Sequence, residues 1–325
     1  MHAHVTATSP DEFDRLATLF VANGITTIRG MLGRAGHLEL REELSSGRRF
    51  GPRLYTSGPS LNGRSVSGVA DAVRKVKSQA EAGYDFIKIH PGLSKDEFVA
   101  IATTANELDL PYAGHVPVAA GLQVALDNGM ATIDHLDGYF AALLPANSDG
   151  LGGYGGFFDV MLAEELDEAD IDDIAAATAA AGTWNVPTQI LVEQVIDATP
   201  VADLVSRPEV RYVSRSTVRD WSNAKTSQLN ERGFDATVAA RAVKLRRQLI
   251  LALHEKGAGL LLGSDSPQVF IVPGFATQRE LHLMVEAGLS HYSALSTVTV
   301  SVAEFLGSIG GIVAEGREAD LVLLD

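Results

Sequence analysis

The sequence predicts an α/β protein folded as a (β/α)8 barrel of the TIM type. Two patterns and a length point there. Short apolar β-type runs alternate with Ala- and Glu-rich helical stretches along almost the whole chain. The β-type runs are close to continuously apolar, as in a parallel sheet covered on both faces. The chain has 325 residues, 46% of them hydrophobic. A barrel of this kind typically needs roughly 250 residues, so one large domain is expected rather than two ordinary ones.

The strand candidates inside the chain are Gly24 to Met31, Arg53 to Ser57, Phe86 to His90, Tyr112 to Val116, Thr132 to Leu136, Trp184 to Leu191 and Leu260 to Ser264. Helical patterns between them include Ala70 to Ala82, Lys95 to Leu108, Ala119 to Asn128 and Glu168 to Ala181. Gly83, Gly129 and Gly182 follow three of these and suit a helix C-cap before the next strand. This makes seven strands, one short of a barrel. Either the gene product is longer than this chain, or the first strand is reduced to Met1 to Val5. At the other end, Gly316 to Asp325 starts a further strand and stops.

Two segments break the alternation. Asp149 to Gly156 is Gly-rich and follows the sixth strand. No Lys-Ser/Thr follows it and no helix opens from it, which excludes a phosphate cradle; a mobile lid or rim loop is expected. Residues 193–258 are longer than a normal barrel connection and rich in Arg, Asp, Ser and Val. Extra helices over the barrel mouth, or an oligomer contact, are the two expectations there.

The net charge of −15 argues against nucleic acid or an anionic membrane as partner. The absence of Cys excludes disulfides and thiolate ligands, so a metal must use His, carboxylate or a modified side chain. No apolar run approaches the ~20 residues of a membrane span, and no signal peptide precedes the first motif. A soluble, cytoplasmic protein is the default expectation, with assembly into a homo-oligomer left open.

In a barrel, catalytic groups collect at the C-terminal ends of strands. His2, His4, Lys88, His115, His135 and Asp265 all fall at such ends. His2-Ala3-His4 puts two imidazoles on one side of an extended segment, because side chains alternate with period 2. Two imidazoles with a carboxylate suit Zn²⁺ or a similar divalent ion. Lys88 qualifies as a ligand only if carboxylated or strongly depressed in pKa, since an ammonium repels the metal; an internal ion pair or a substrate contact are its other readings. Asp265, in Gly263-Ser264-Asp265-Ser266, also fits a helix cap. His90 shares a face with Lys88 and is a weaker pocket candidate. Tyr139 and Gln189 are possible substrate contacts. Arg29 pairs either with a substrate carboxylate or within the structure, and Trp221 and Tyr212 fit an apolar rim. His37, His254, His282 and His291 read as ordinary surface or packing residues.

The fragments His2-Ala3-His4, Phe86-Ile87-Lys88-Ile89-His90, Ala113-Gly114-His115-Val116-Pro117, Ile133-Asp134-His135-Leu136 and Leu262-Gly263-Ser264-Asp265 resemble the amidohydrolase superfamily. Within it they are similar to the imidazolonepropionase-like group that includes Xaa-Pro dipeptidases with a carboxylated lysine. The resemblance covers nearly the whole chain. It implies a metal-dependent hydrolase barrel, over residues 1–315 here, with a helical insertion around 193–258. Residues 316–325 would then begin a C-terminal β-sandwich strand, the rest of the sandwich being largely missing. It implies one or two divalent ions, Zn²⁺ above all. His2 and His4 would bind the more buried metal with Asp265, carboxylated Lys88 would bridge, and His115 and His135 would hold the second. Asp265 would also be the general acid/base for a metal-activated water that cleaves an amide in a small substrate, a Xaa-Pro dipeptide or an N-acyl amino acid. Two alternatives stay open: a mononuclear cyclic amidohydrolase of imidazolonepropionase type, and a truncated non-catalytic barrel acting as a binding module.

Overall fold

A computed structural model describes residues 2–7, 9–145, 148 and 155–323. Eight parallel strands form the sheet: β1 (His2–Ala3), β2 (Thr27–Gly30), β3 (Arg53–Thr56), β4 (Ile87–Ile89), β5 (Tyr112–Gly114), β6 (Thr132–Asp134), β7 (Trp184–Val186) and β8 (Gly263–Ser266). They fall into two four-stranded sheets, ordered β3-β2-β1-β8 and β4-β5-β6-β7. Single bridges from Ser57 to Phe86 and from Asn185 to Leu260 join the two sheets at both seams. The ring is closed, and the fold is the expected (β/α)8 barrel.

The first strand exists in the reduced form. His2 pairs with Arg29 on one side and Gly263 on the other. Two backbone bonds extend this pairing past the strand, from the His4 N–H to the Ser266 carbonyl at 2.8 Å and from the Met31 N–H to the Ala3 carbonyl at 3.0 Å.

Three boundaries differ from the sequence expectation. The strand begun at Gly24 is confined to Thr27–Gly30. The run from Trp184 to Leu191 is a strand only through Val186, and Gln189–Ile196 is a helix. Pro187 lacks the N–H a ladder needs, and Glu280 accepts the N–H groups of Gln189 and Ile190 at 2.8 and 2.6 Å, opening a helix there. The last strand sits later than Leu260 to Ser264, so Asp265 lies inside β8.

The surrounding helices follow local signals. Lys95–Glu107 starts with a capping box, in which Ser94 accepts from the Glu97 N–H and Glu97 reaches back to Ser94. Residues 193–258 are largely helical, with Val201–Val205, Arg215–Leu229 and the long Ala236–Glu255. Leu204 and Val210 from this segment pack with Phe270, just past β8, and with Val218 and Trp221. Of the Gly-rich stretch 149–156, residues 149–154 lie outside the described residues. Residues 316–323 form no strand; Glu318 pairs with Arg53 at 2.9 Å. Among the described residues no helix is long and apolar enough to cross a membrane.

Candidate metal centre

All six sequence-predicted site residues converge inside one end of the barrel. β1 carries His2 and aims His4 beyond its end; β4 carries Lys88; β8 carries Asp265; His115 and His135 directly follow β5 and β6. Asp265 Oδ1 lies 2.7 Å from His2 Nε2 and 3.0 Å from His4 Nε2. The His115 and His135 rings are 4.8 Å apart, and His135 is 5.2 Å from His2.

Two glycines make room for this crowding. A Cβ on Gly114, which has φ +127, would strike the Ile89 carbonyl and come within 2.9 and 3.0 Å of Lys88 Cδ and Nζ. A Cβ on Gly263 would sit 2.5 Å from the His2 Cβ and 2.6 Å from Val186. Non-glycine residues also take left-handed backbone here: His135 (φ 64), Leu136 (φ 55), Thr188 (φ 45) and Asp265 (φ 57). Such conformations persist where the surroundings over-determine them, and they cluster at functional sites.

The donor set fits a cation. His2, His4 and Asp265 offer ligand atoms that all lie within 4.8 Å of one another, and so do His2, Asp134 and His135. Although 2.7 Å apart, His2 Nε2 and Asp265 Oδ1 are not aligned as a hydrogen bond. Both, with His2 Nδ1, are buried without a hydrogen-bond partner. Buried polar atoms are normally satisfied, and imidazole with carboxylate is a donor set suited to Zn²⁺. His115 and His135 are each oriented through one ring nitrogen, His115 Nδ1 by Asp137 at 3.0 Å and His135 Nδ1 by Thr188 Oγ1 at 2.8 Å. This is how ligating imidazoles are usually fixed.

Asp134 is the residue that sequence reasoning missed. Its Oδ2 accepts from Lys88 Nζ at 2.9 Å and lies 3.4 Å from His2 Nδ1, and its Oδ1 is 3.7 Å from Arg29 Nη2. Lys88 and Asp134 are both fully buried. An ionisable group in a strand otherwise buried on both faces was the available signal. Phe158 was missed too; its ring stacks on His115 at 5.8 Å and lies tilted against His135 at 4.7 Å.

Electrostatics follow from burial and neighbours. Burial alone raises the Asp265 carboxyl, but His4, His2 and His135 outweigh it and hold it well below the usual range. Burial holds His135 neutral, far below its ordinary value. Burial, with Lys88 and then His115 and His4, brings His90 down to about 3; its ring stacks on His115 at 5.0 Å.

Several secondary candidates are structural. The Tyr139 hydroxyl is fully buried against Asn185 and Thr178. Gln189 is fully buried between Arg246 and Glu193. Arg29 takes the internal pairing. Trp221 packs edge-on against Phe270 at 5.7 Å, and Tyr212 stacks on Phe275. Of the two readings offered for His37, packing is the one that holds; it is 2% exposed.

The sequence profile of the amidohydrolase family matches residues 11–325. The chain belongs to the amidohydrolase family. The match begins past His2 and His4, so the barrel geometry is what brings those two imidazoles to the site. No curated protein matches the chain by sequence. Among solved structures, it resembles a bottromycin amidohydrolase with TM-score 0.71 at 23% identity, covering 94% of this chain and 66% of that one. A Xaa-Pro dipeptidase with bound methionine in its active site is similar with TM-score 0.64 at 17% identity, covering 98% and 77%. An A. niger ochratoxinase gives TM-score 0.63 at 16% identity, covering 98% and 73%. At these identities the likeness is one of fold.

Proposed function

We propose that this amidohydrolase-family barrel is a metal-dependent enzyme that hydrolyses an amide bond in a small substrate, of the Xaa-Pro dipeptide or N-acyl amino acid class. The observation that carries the reading is the buried convergence of His2, His4 and Asp265, with His115 and His135 beside it. His2, His4 and Asp265 would hold one divalent ion, most naturally Zn²⁺. His115, His135 and a carboxylated Lys88 would hold a second. Such an ion, when bound, supplies a water that ionises near neutral pH and polarises a carbonyl.

The protein's own residues supply the rest. Asp265, kept ionised by His4 and His2, is the base that takes a proton from the attacking water. It then delivers that proton to the leaving nitrogen. His115 and His135 stay in place because Asp137 and Thr188 hold their second nitrogens. Phe158 covers both rings and keeps bulk water from them.

A panel of Xaa-Pro dipeptides and N-acyl amino acids, assayed with added Zn²⁺, tests the proposal. Asp265→Asn is expected to lower turnover roughly 10²–10⁴-fold, the range for general acid–base groups, with its fold intact by circular dichroism. Unchanged hydrolysis in that variant would sink the reading.

One observation favours a single-metal, cyclic-amidohydrolase variant: the 2.9 Å ion pair between Lys88 and Asp134 occupies the amine that a carboxylated bridge needs. Two metals per chain and a mass increase of one carboxyl group on the Lys88 peptide support the binuclear form; one metal and plain lysine support the other.

A further inference from the structure

We propose that His90 is a further catalytic residue, whose imidazole donates a hydrogen bond to the scissile carbonyl oxygen as that oxygen gains negative charge; this rests on the amide-hydrolysis reading above. The parallel pairing of β4 runs on past its end, with Ile89 bridged to Leu61 and the His90 N–H donating to the Leu61 carbonyl at 2.9 Å. Side chains therefore keep alternating, which places His90 on the face of Lys88, roughly 7 Å further along the strand. That direction leads to the C-terminal mouth, where the catalytic groups of a barrel collect. Lys88 is fully buried and His90 half-buried.

The ring belongs to the site. It stacks on His115 at 5.0 Å and 29°, and the charges that act on it are those of Lys88, His115, His4 and Asp265. Every other imidazole of the site has a carboxylate or hydroxyl oxygen within 3.0 Å of a ring nitrogen. His90 Nδ1 is instead buried without a hydrogen-bond partner among the described residues. Buried polar atoms are normally satisfied, so a ring left open beside a reaction centre is available to a ligand. An imidazole carries an N–H donor in either protonation state.

The chemistry selects the substrate atom that His90 meets. Asp265 lies against His2 and His4, at 2.7 and 3.0 Å, and takes the proton of the attacking water. The water oxygen bonds to the carbonyl carbon, and the C=O electron pair moves onto the carbonyl oxygen. That pair returns as the C–N bond breaks and Asp265 hands its proton to the nitrogen. The nitrogen therefore lies on the Asp265 side. The carbonyl oxygen lies across the carbon from it, toward His115 and the His90 ring stacked there. A donor placed where such charge develops is worth roughly 10²–10³-fold in kcat.

His90→Phe keeps a ring against His115 and removes the donor. With added Zn²⁺ and metal content checked, it should lower kcat roughly 10²–10³-fold on the best dipeptide of the panel, with KM little changed. The probe that reads binding alone is proline carrying a tetrahedral phosphonyl group on its nitrogen, a mimic of the charged oxygen. Its affinity should fall by a comparable factor in the variant. In crystals of its complex with the wild-type chain, a phosphonyl oxygen should lie within hydrogen-bonding distance of a His90 ring nitrogen. That map decides alone if His90→Phe does not fold. Unchanged kcat and phosphonate affinity in the variant, or a complex in which His90 does not touch the phosphonyl group, overturns the assignment while leaving the amidase reading standing. A wild-type chain that neither hydrolyses the panel nor binds the phosphonate overturns both.

Discussion

Replacing Arg246 with Met should loosen the backbone that carries His135 without altering any of the six candidate site side chains. Arg246 sits on the helix Ala236–Glu255 and is 1% exposed. Its guanidinium donates to the His135 carbonyl at 2.7 Å, the Pro187 carbonyl at 2.8 Å and Gln189 Oε1 at 2.9 Å. One side chain thereby ties the end of β6 to the end of β7, where His135 and Thr188 hold left-handed backbone. Thr188 in turn fixes the His135 ring.

Methionine is apolar and of similar length, so the main loss is three hydrogen bonds to a cation. Each buried acceptor left unpaired costs about 1–3 kcal/mol, which bounds the loss at roughly 3–9 kcal/mol. Glu280 also loses its nearby cation, while the cost of burying the guanidinium disappears. The net expected destabilisation is about 3–5 kcal/mol, as when one partner of a buried ionic network is removed. Metal affinity should fall roughly 10–100-fold, the usual effect of losing an outer-shell support. Urea denaturation measures the first quantity, and metal content after dialysis against a graded chelator the second. A change under about 1 kcal/mol together with unchanged metal affinity would refute the clamp.

Two further outcomes are expected. Burial, then the charge of Arg34, lowers His37 to about 4, and Arg34 Nε donates to its ring at 3.1 Å. The unfolded chain binds a proton near 6.5 that the folded one resists, so this contribution is full above pH 6.5 and is lost as pH falls toward 4. About 3 kcal/mol is at stake at 1.36 kcal/mol per unit; His37→Gln should flatten stability against pH in that window, and an unaltered acid slope in denaturation curves would contradict this. Asp134→Asn should cost about 3–5 kcal/mol, because it leaves Lys88 and Arg29 buried without their shared carboxylate. Wild-type-like thermal unfolding of that variant would show that the pair carries no such weight.

The parts of the site that the sequence made legible are those set by short-range geometry. His2 and His4 could be read from a period of two, and His115 and His135 from their places just past apolar runs. Each is delivered by its own strand, and the barrel rule collects strand ends. What stayed hidden depends on contacts across the barrel. Arg246 reaches a carbonyl 111 residues away, and beside Arg247 on a helix it reads as one more solvated cation. Asp134 is hidden by the alternation rule itself, since neighbours on a strand should face opposite ways. Because His135 leaves the strand with φ +64, the alternation breaks at that residue, and both Asp134 and His135 reach the interior beside His2. The overlong strand at 184–191 fails for a related reason. Its apolar run continues unbroken, but Glu280, some 90 residues on, captures the N–H groups of Gln189 and Ile190 and turns the chain into a helix. The same rearrangement frees Thr188 to orient His135, so the boundary that local pattern mislocates is also the one that positions that imidazole.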